Sequence, residues 1–185
     1  MSALARAFVA IRPPPPVLDA VARTVDHLRT EHPGLRWARR ESWHLTLRFL
    51  GRVDDPDGVS DALGTLGDRP APTLRLAGMG AFPTEQRSRA LWVGCPDGFD
   101  AFAGLARAVD DAVAPWGFGE ADHPAAAHLT VARSRRAFDA REMIGSVGDA
   151  PFGPSWTADR IVLYRSTTHP DGAVHDEVVS VALRG

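Results

Sequence analysis

The feature that most constrains the fold is a tripeptide, His-Leu-Thr, that occurs twice, at 44–46 and at 128–130. With 7 histidines in the chain, two such copies would arise at random in about one sequence in 2000. The offset between the copies also superposes the residues before them: Phe8 on Trp92, Leu18 on Phe102, Val25 on Val109. This pattern predicts an internal repeat in which each half runs strand, helix, His-Leu-Thr strand, helix, strand.

Hydrophobic periodicity and turn residues place these elements along the chain. We predict strands at 6–11, 43–50, 72–82, 89–95, 127–133, 160–166 and 174–183, and helices at 17–32, 55–67, 99–116 and 138–147. Residues 122–124 read as a loop. The whole chain, 1–185, is therefore predicted to be one α+β domain of two lobes, each with an antiparallel sheet and helices, related by a pseudo-twofold axis with a cleft between them.

The spacing inside each tripeptide has a chemical use. Side chains two apart in a strand share a face, so His44 and Thr46 point one way while Leu45 points the other. The same holds for His128 and Thr130. A cleft lined by both strands would hold two imidazoles, one to accept a proton and one to donate it, and two hydroxyls for phosphate oxygens. One such motif alone would more often be an ordinary strand; two at one offset indicate a catalytic site.

Composition excludes several classes. A single cysteine, Cys95, rules out an intrachain disulfide and a cysteine-rich zinc site. No apolar run has the length of a membrane span and the first residues do not form a convincing signal peptide, so we expect a cytoplasmic protein without a membrane partner. The net charge of −2 does not announce a nucleic-acid binder, so any anion site must be local.

Arginines surround both motifs and would contact a polyanion, although any single one is more often a solvated surface residue. They are Arg36, Arg39, Arg40 and Arg48 around the first motif, and Arg133, Arg135 and Arg136 after the second. Arg133 lies three residues past Thr130, which simple alternation places on the opposite strand face. Phe8 and Trp92, at equivalent repeat positions, would stack on a base or, more commonly, fill the core.

Several segments resemble the 2H phosphoesterases, above all the bacterial and archaeal RNA 2′,3′-cyclic phosphodiesterases, also called 2′-5′ RNA ligases. In order along the chain they are RAFVAI (6–11), SWHLTLRFLG (42–51), GMGAFP (78–83), RALWVG (89–94), HLTVAR (128–133) and LYRS (163–166). The resemblance implies the bilobal 2H fold and hydrolysis of 2′,3′-cyclic phosphate RNA ends to 2′-phosphomonoesters without metal or cofactor. It implies His44 as proton donor, His128 as proton acceptor, and Thr46 and Thr130 as phosphate ligands.

Two positions depart from the family pattern: Ala127 stands where proline is common, and His175 where an aromatic residue is frequent. His175 is expected to be a strand-edge residue. Other functions remain open: a phosphodiesterase for a small cyclic nucleotide, a silent RNA-binding module, or a metallohydrolase that uses both motif histidines but lacks an evident third ligand. Ligation is the reverse reaction at the same site. We expect a monomer without a protein partner.

Overall fold

A computed structural model describes residues 1–119, 121, 126–169 and 172–185. The loop predicted at 122–124 lies outside them. The described residues form nine strands and four helices, with short 3₁₀ turns after the second and third helices. In chain order they are β1 (Leu4–Ile11), α1 (Pro15–Glu31), β2 (Arg36–Trp37), β3 (Leu45–Val53), α2 (Pro56–Gly64), β4 (Thr73–Phe82), β5 (Ser88–Asp97), α3 (Phe99–Val113), β6 (His128–Phe138), α4 (Arg141–Val147), β7 (Trp156–Thr157), β8 (Arg160–His169) and β9 (Gly172–Ala182).

The predicted α+β class is confirmed, with some differences at element ends. The fourth helix begins at Arg141 rather than at 138, because β6 continues through Phe138, which pairs with Ser88 of β5. The two-residue strands β2 and β7 are too short to show a periodic pattern and were not predicted. None of the described helices has the length and apolarity to cross a membrane.

All strands belong to one antiparallel sheet with the order β7-β4-β5-β6-β3-β1-β8-β9, and β2 pairs with β6 beside β3. The order is symmetric about the β6–β3 boundary. We call β3, β1, β8 and β9 the His44 lobe, and β6, β5, β4 and β7 the His128 lobe. The two lobes meet where Leu45 pairs with Leu129, the residues at the centre of the two tripeptides.

The lobes do not coincide with the halves of the chain. Strand β4 comes from the first half but pairs with β5 in the His128 lobe. Strand β8 comes from the second half but pairs with β1 in the His44 lobe. The His44 lobe thus combines β1 and β3 of the first half with β8 and β9 of the second, and the His128 lobe combines β5, β6 and β7 of the second half with β4 of the first.

One face of the sheet packs against the helices. The buried side chains of α1 and α3 share a single core with Leu45 and Leu129, both of which are fully buried. Phe8, Ala10, Val162 and Tyr164 form a separate small cluster. Since side chains alternate along a strand, His44, Thr46, His128 and Thr130 project from the face opposite to Leu45 and Leu129, away from the helices.

Candidate active site

The two motif histidines have the same backbone anchor. His44 Nδ1 lies 2.7 Å from the carbonyl oxygen of Ser42, and His128 Nδ1 lies 3.0 Å from that of Ala126. A carbonyl oxygen only accepts, so each Nδ1 must carry the proton and donate it. In both rings Nε2 is therefore left as the nitrogen that gains or loses a proton, which is the arrangement needed for a general acid or base.

The register at the lobe boundary sets the four motif side chains in a square. Because Leu45 pairs with Leu129 in antiparallel fashion, the neighbours of one leucine lie beside the opposite neighbours of the other. His44 is thereby beside Thr130, and Thr46 is beside His128. All four side chains are half-buried. Each imidazole thus shares its end of the square with the hydroxyl supplied by the other half of the chain.

Immediately after each tripeptide the strand carries a β-bulge, at repeat-equivalent positions. In β3 the pairing with β1 passes from Thr46–Ala10 to Arg48–Val9, so that Leu47 is the extra residue. In β6 the pairing with β5 passes from Thr130–Trp92 to Ala132–Leu91, which makes Val131 the extra residue. A bulge of one residue reverses the alternation of every side chain that follows it.

The bulge corrects the prediction for Arg133. Simple alternation placed this side chain on the face opposite to Thr130. Arg133 instead pairs with Ala90, two residues from the partner of Thr130. Its side chain therefore lies on the same face of the sheet as His128 and Thr130, which we call the catalytic face. Its charge is one of the causes that lower the pKa values of both His44 and His128. In the first half the equivalent position is Phe49, which pairs with Phe8 and is 60 % exposed.

The equivalent bulge in β3 corrects the prediction that Arg48 would contact a polyanion. The bulge turns its side chain toward the helices, where it is 8 % exposed and lies 3.2 Å, Nε to Oδ1, from Asp110 of α3. The guanidinium also donates to the carbonyl oxygen of Gly119. Arg48 therefore braces the first motif strand against α3 and the chain beyond it, rather than facing solvent.

The remaining arginines divide into two groups. Arg40 pairs with Asp19 of α1, with 2.6 Å between Nη2 and Oδ1, and so belongs to the surface of the first half. Arg36, in β2, lies across from Arg133, and Arg135 and Arg136 follow on β6. This second group and Arg39 are exposed, so of the arginines predicted to contact a polyanion these remain accessible to one.

Aromatic rings surround each histidine, but to different degrees. The His44 ring stacks on Phe8 with centroids 4.5 Å apart, and the His175 ring is perpendicular to it with centroids 5.2 Å apart. Phe8 is buried, as the core interpretation predicted, yet it is also the floor beneath a candidate catalytic residue. The centroid of the His128 ring lies 5.1 Å from that of Phe82 and 6.0 Å from that of Trp92.

Both imidazoles are held toward the neutral form. Burial is the main cause that lowers the pKa of His44 to about 4, against the bond to Ser42, which raises it; the charges of His175, His128 and Arg133 lower it further. Burial also lowers the pKa of His128, and again the backbone bond opposes this while Arg133 adds to it. The deeper ring is thus the stronger acid once it is protonated.

His175 is the residue near the site that the sequence did not indicate. It was expected to be a strand-edge residue, and it lies in β9, the edge strand of the His44 lobe, where it is across from Ser166 and contacts Phe8 as well as His44. Its Nδ1 is buried. Only the family pattern, in which an aromatic residue is frequent at this position, carried a signal for it, and imidazole is likewise a ring.

The part of the chain that the structure describes contains no group of three or more histidine, cysteine, aspartate or glutamate side chains arranged to hold a metal ion. The two motif histidines lie at the lobe boundary beside threonine, arginine and aromatic side chains. This donor set suits a phosphate with its proton donors and acceptors better than a cation.

Comparison with known proteins gives concordant results. The model of the 2′-5′ RNA ligase superfamily matches residues 14–170. The RNA 2′,3′-cyclic phosphodiesterase of Methanocaldococcus jannaschii is 25 % identical over 177 residues, which are 94 % of this chain and 98 % of that protein.

Solved structures agree over nearly the whole chain. A Thermus thermophilus protein superposes with a TM-score of 0.78 at 26 % identity, covering 97 % of this chain and 98 % of that one. E. coli LigT complexed with 3′-AMP superposes with a TM-score of 0.76 at 25 % identity, covering 98 % and 99 %. Given the match of the family model over most of its length, the chain belongs to the 2′-5′ RNA ligase superfamily of 2H phosphoesterases.

Proposed function

We propose that this protein is an RNA 2′,3′-cyclic phosphodiesterase that acts as a single bilobal unit over residues 1–185. The observation that carries the proposal is the pair of imidazoles with Nδ1 anchored and Nε2 left to titrate, set beside two threonines on one face. Curated relatives named RNA 2′,3′-cyclic phosphodiesterase, and the capture of 3′-AMP by E. coli LigT, support the same chemistry.

The reaction needs one proton acceptor and one proton donor in line with the phosphorus atom. Neutral His128 takes a proton from water through Nε2 as the water oxygen attacks phosphorus. The bond from phosphorus to O3′ breaks, and protonated His44 gives its Nε2 proton to O3′. The product carries a 2′-phosphomonoester and a 3′-hydroxyl, and the two histidines have exchanged protonation states. No metal or cofactor takes part in this scheme.

The assignment of His44 as the acid agrees with its environment. A ring whose pKa is near 4 is a strong donor once protonated, but it holds little proton at neutral pH in the empty cleft. The substrate supplies the missing stabilisation, because a phosphodiester anion beside an imidazolium favours the charged form. Substrate binding and protonation of His44 are therefore coupled.

The other side chains of the catalytic face hold the substrate. Thr46 and Thr130 donate hydroxyl hydrogen bonds to the non-bridging oxygens, and Arg133 adds a permanent charge beside them. Exposed Phe49, at the position equivalent to Arg133, presents an aromatic surface on which a nucleobase can stack. The reverse reaction, 2′-5′ ligation, passes through the same transition state at the same groups. We propose a monomer that works in the cytoplasm.

The test is hydrolysis of a short RNA that ends in a 2′,3′-cyclic phosphate, with EDTA present and the product identified by the position of its phosphate. Accumulation of a 2′-phosphate supports the reaction, the bond broken and the independence from metal. A 3′-phosphate product would reverse the assignment of the leaving oxygen. No turnover by folded protein that still binds the RNA would overturn the proposal in favour of a silent binding module, and turnover of a mononucleotide alone would favour a small cyclic substrate.

A further inference from the structure

A groove of about 810 Å³ lies beside β2, the distal half of β6 and the start of α4. Its lining includes four arginines, Arg36, Arg133, Arg135 and Arg136, together with Ser134 and Phe138. Arg133, Arg135 and Arg136 are exposed. In a chain whose net charge is −2, this is a local concentration of positive charge.

The acid of this lining, Asp139, does not cancel that charge. Its two carboxylate oxygens accept hydrogen bonds from Nε and Nη2 of Arg141, at 3.0 Å and 2.6 Å, and Arg141 is not part of the lining. These bonds are the main cause that lowers the pKa of Asp139 to about 2. The carboxylate of Asp139 is thus already offset by Arg141, and Arg133, Arg135 and Arg136 of the same lining are exposed.

A second groove shows that this charge is not a general property of the surface. It has about the same volume, about 800 Å³, and lies between α1 and α4. Its lining contains one arginine, Arg23, and two acids, Glu31 and Glu142. The histidines His27 and His32 belong to the same lining. A polyanion would meet two acids there, so the charge distribution favours the first groove alone.

The basic groove is continuous with the catalytic face through Arg133. This residue lines the groove, shares the face of His128 and Thr130, and lowers the pKa values of both motif histidines by its charge. Arg36 lies directly across from it on β2. A polyanion that extends from the four motif side chains past Arg133 therefore reaches a groove lined with further arginines.

We propose that this groove binds the backbone phosphates of the nucleotides that precede the terminal cyclic phosphate, so that the preferred substrate is an oligoribonucleotide rather than a mononucleotide. The inference rests on the proposed function for the terminal nucleotide. A cyclic phosphate occupies the 3′ end, so the rest of the RNA extends from the site in the 5′ direction only. Guanidinium groups contact successive phosphates irrespective of sequence, which predicts dependence on length and salt but not on base identity.

The experiment compares the wild type with Arg135→Ala/Arg136→Ala on two substrates, a nucleoside 2′,3′-cyclic phosphate and a ten-nucleotide RNA with the same end. The matched control is Arg29→Ala/Arg160→Ala, which removes two exposed arginines paired with Asp26 and Asp159, away from the groove. Arg135 and Arg136 are engaged through backbone atoms, which alanine retains. In parallel, fluorescence anisotropy measures binding of a ten-nucleotide RNA with an ordinary 3′-hydroxyl at several salt concentrations.

We expect the groove variant to lose about tenfold in kcat/KM on the long RNA and to keep wild-type values on the mononucleotide. The slope of log K against log salt should fall in magnitude by about 1.4, for two phosphate contacts to a single strand. Wild-type kinetics on both substrates, an equal loss on both, or an equal loss in the control variant would overturn the proposal. If the wild type hydrolyses neither substrate, the proposed function fails, and the binding slopes alone still decide for or against the groove.

Discussion

The two halves of the catalytic face have the same backbone and different surroundings. Both tripeptides end in a one-residue bulge, both histidines bond a carbonyl two residues before them, and both threonines lie beside the opposite histidine. Beyond the bulge, however, the first half exposes Phe49 and the second exposes Arg133. His44 lies between stacked Phe8 and the edge of His175, whereas His128 lies at the more open rings of Phe82 and Trp92.

In the reaction that we propose, this difference lets a symmetric scaffold supply two distinct groups. A proton donor and a proton acceptor must be in opposite protonation states, although the repeat supplies histidine for both. The pKa values differ because His44 is more buried than His128 and lies beside the imidazole of His175. The residues after the two bulges also differ, with exposed Phe49 on one side and exposed Arg133 on the other.

The largest expected effect is the loss of either motif histidine. His44→Ala and His128→Ala should each lower kcat by about two to four orders of magnitude, the usual contribution of a general acid or base. The readout is release of 2′-phosphate from a cyclic-phosphate RNA. Exposed His27→Ala on α1 is the matched control. Activity of the double histidine variant equal to that of the parent would rule out the two-histidine mechanism.

A smaller loss is expected for the threonines, since each supplies one of several contacts to the phosphate. Thr46→Ala and Thr130→Ala should each cost about a hundredfold in kcat, the lower end of the range for removal of one preorganised donor. Serine keeps the hydroxyl, so Thr46→Ser and Thr130→Ser should recover most of the rate. If serine is no better than alanine, the methyl group and not the hydroxyl matters at these positions.

Arg133→Met tests the charged side of the comparison on a mononucleotide substrate. Loss of one charge-assisted contact, worth about 1.5 kcal/mol, should lower kcat/KM about tenfold. The pKa values of both histidines should rise, because Arg133 lowers them, and the alkaline limb of the pH profile should move to higher pH. Arg135→Met makes the same charge change two residues away, and an identical response from it would show that the position of the charge is unimportant.

The smallest effect concerns the aromatic side. The wild-type plot of kcat/KM against pH should be a bell with its maximum below 6.5, since both histidine pKa values are lowered in the free protein and the protonated form is lost as pH rises through them. His175→Phe keeps a ring against His44 but removes a charge that lowers its pKa. The limb set by His44 should then shift upward. A flat or rising profile in the parent protein would contradict the acid–base pair itself.

Local patterns were sufficient for most of the elements and for the four motif side chains. Alternation around His44 and His128, and helical spacing at Leu18 and Phe102, are short-range signals that tertiary contacts reinforce. The sequence failed where long-range pairing decides the outcome. The bulges at Leu47 and Val131 are visible only in the pairing of β3 with β1 and of β6 with β5, and neither strand alone carries a pattern that predicts them.

Long-range strand pairing also explains why Arg48 and Arg133 were misplaced and why His175 was missed. Arg133 was placed by an alternation that the bulge in β6 reverses, and the bulge in β3 turns Arg48 away from the polyanion contact predicted for it. His175 reaches His44 because β9 pairs with β8 within the His44 lobe, an arrangement of the sheet and not of neighbouring residues. Its sequence context, between Val174 and Asp176, gives no hint of a catalytic neighbour.

Because β4 and β8 are exchanged between the lobes, cleavage of the chain between its two halves should not yield two independently folded fragments. A chain cut in the turn between β4 and β5 would leave each fragment with a strand whose partner is in the other fragment. Neither fragment could close its own lobe, so the two would be stable only together. This is the topology of a domain-swapped dimer joined into one polypeptide, with the two His-Leu-Thr tripeptides at the boundary between its lobes.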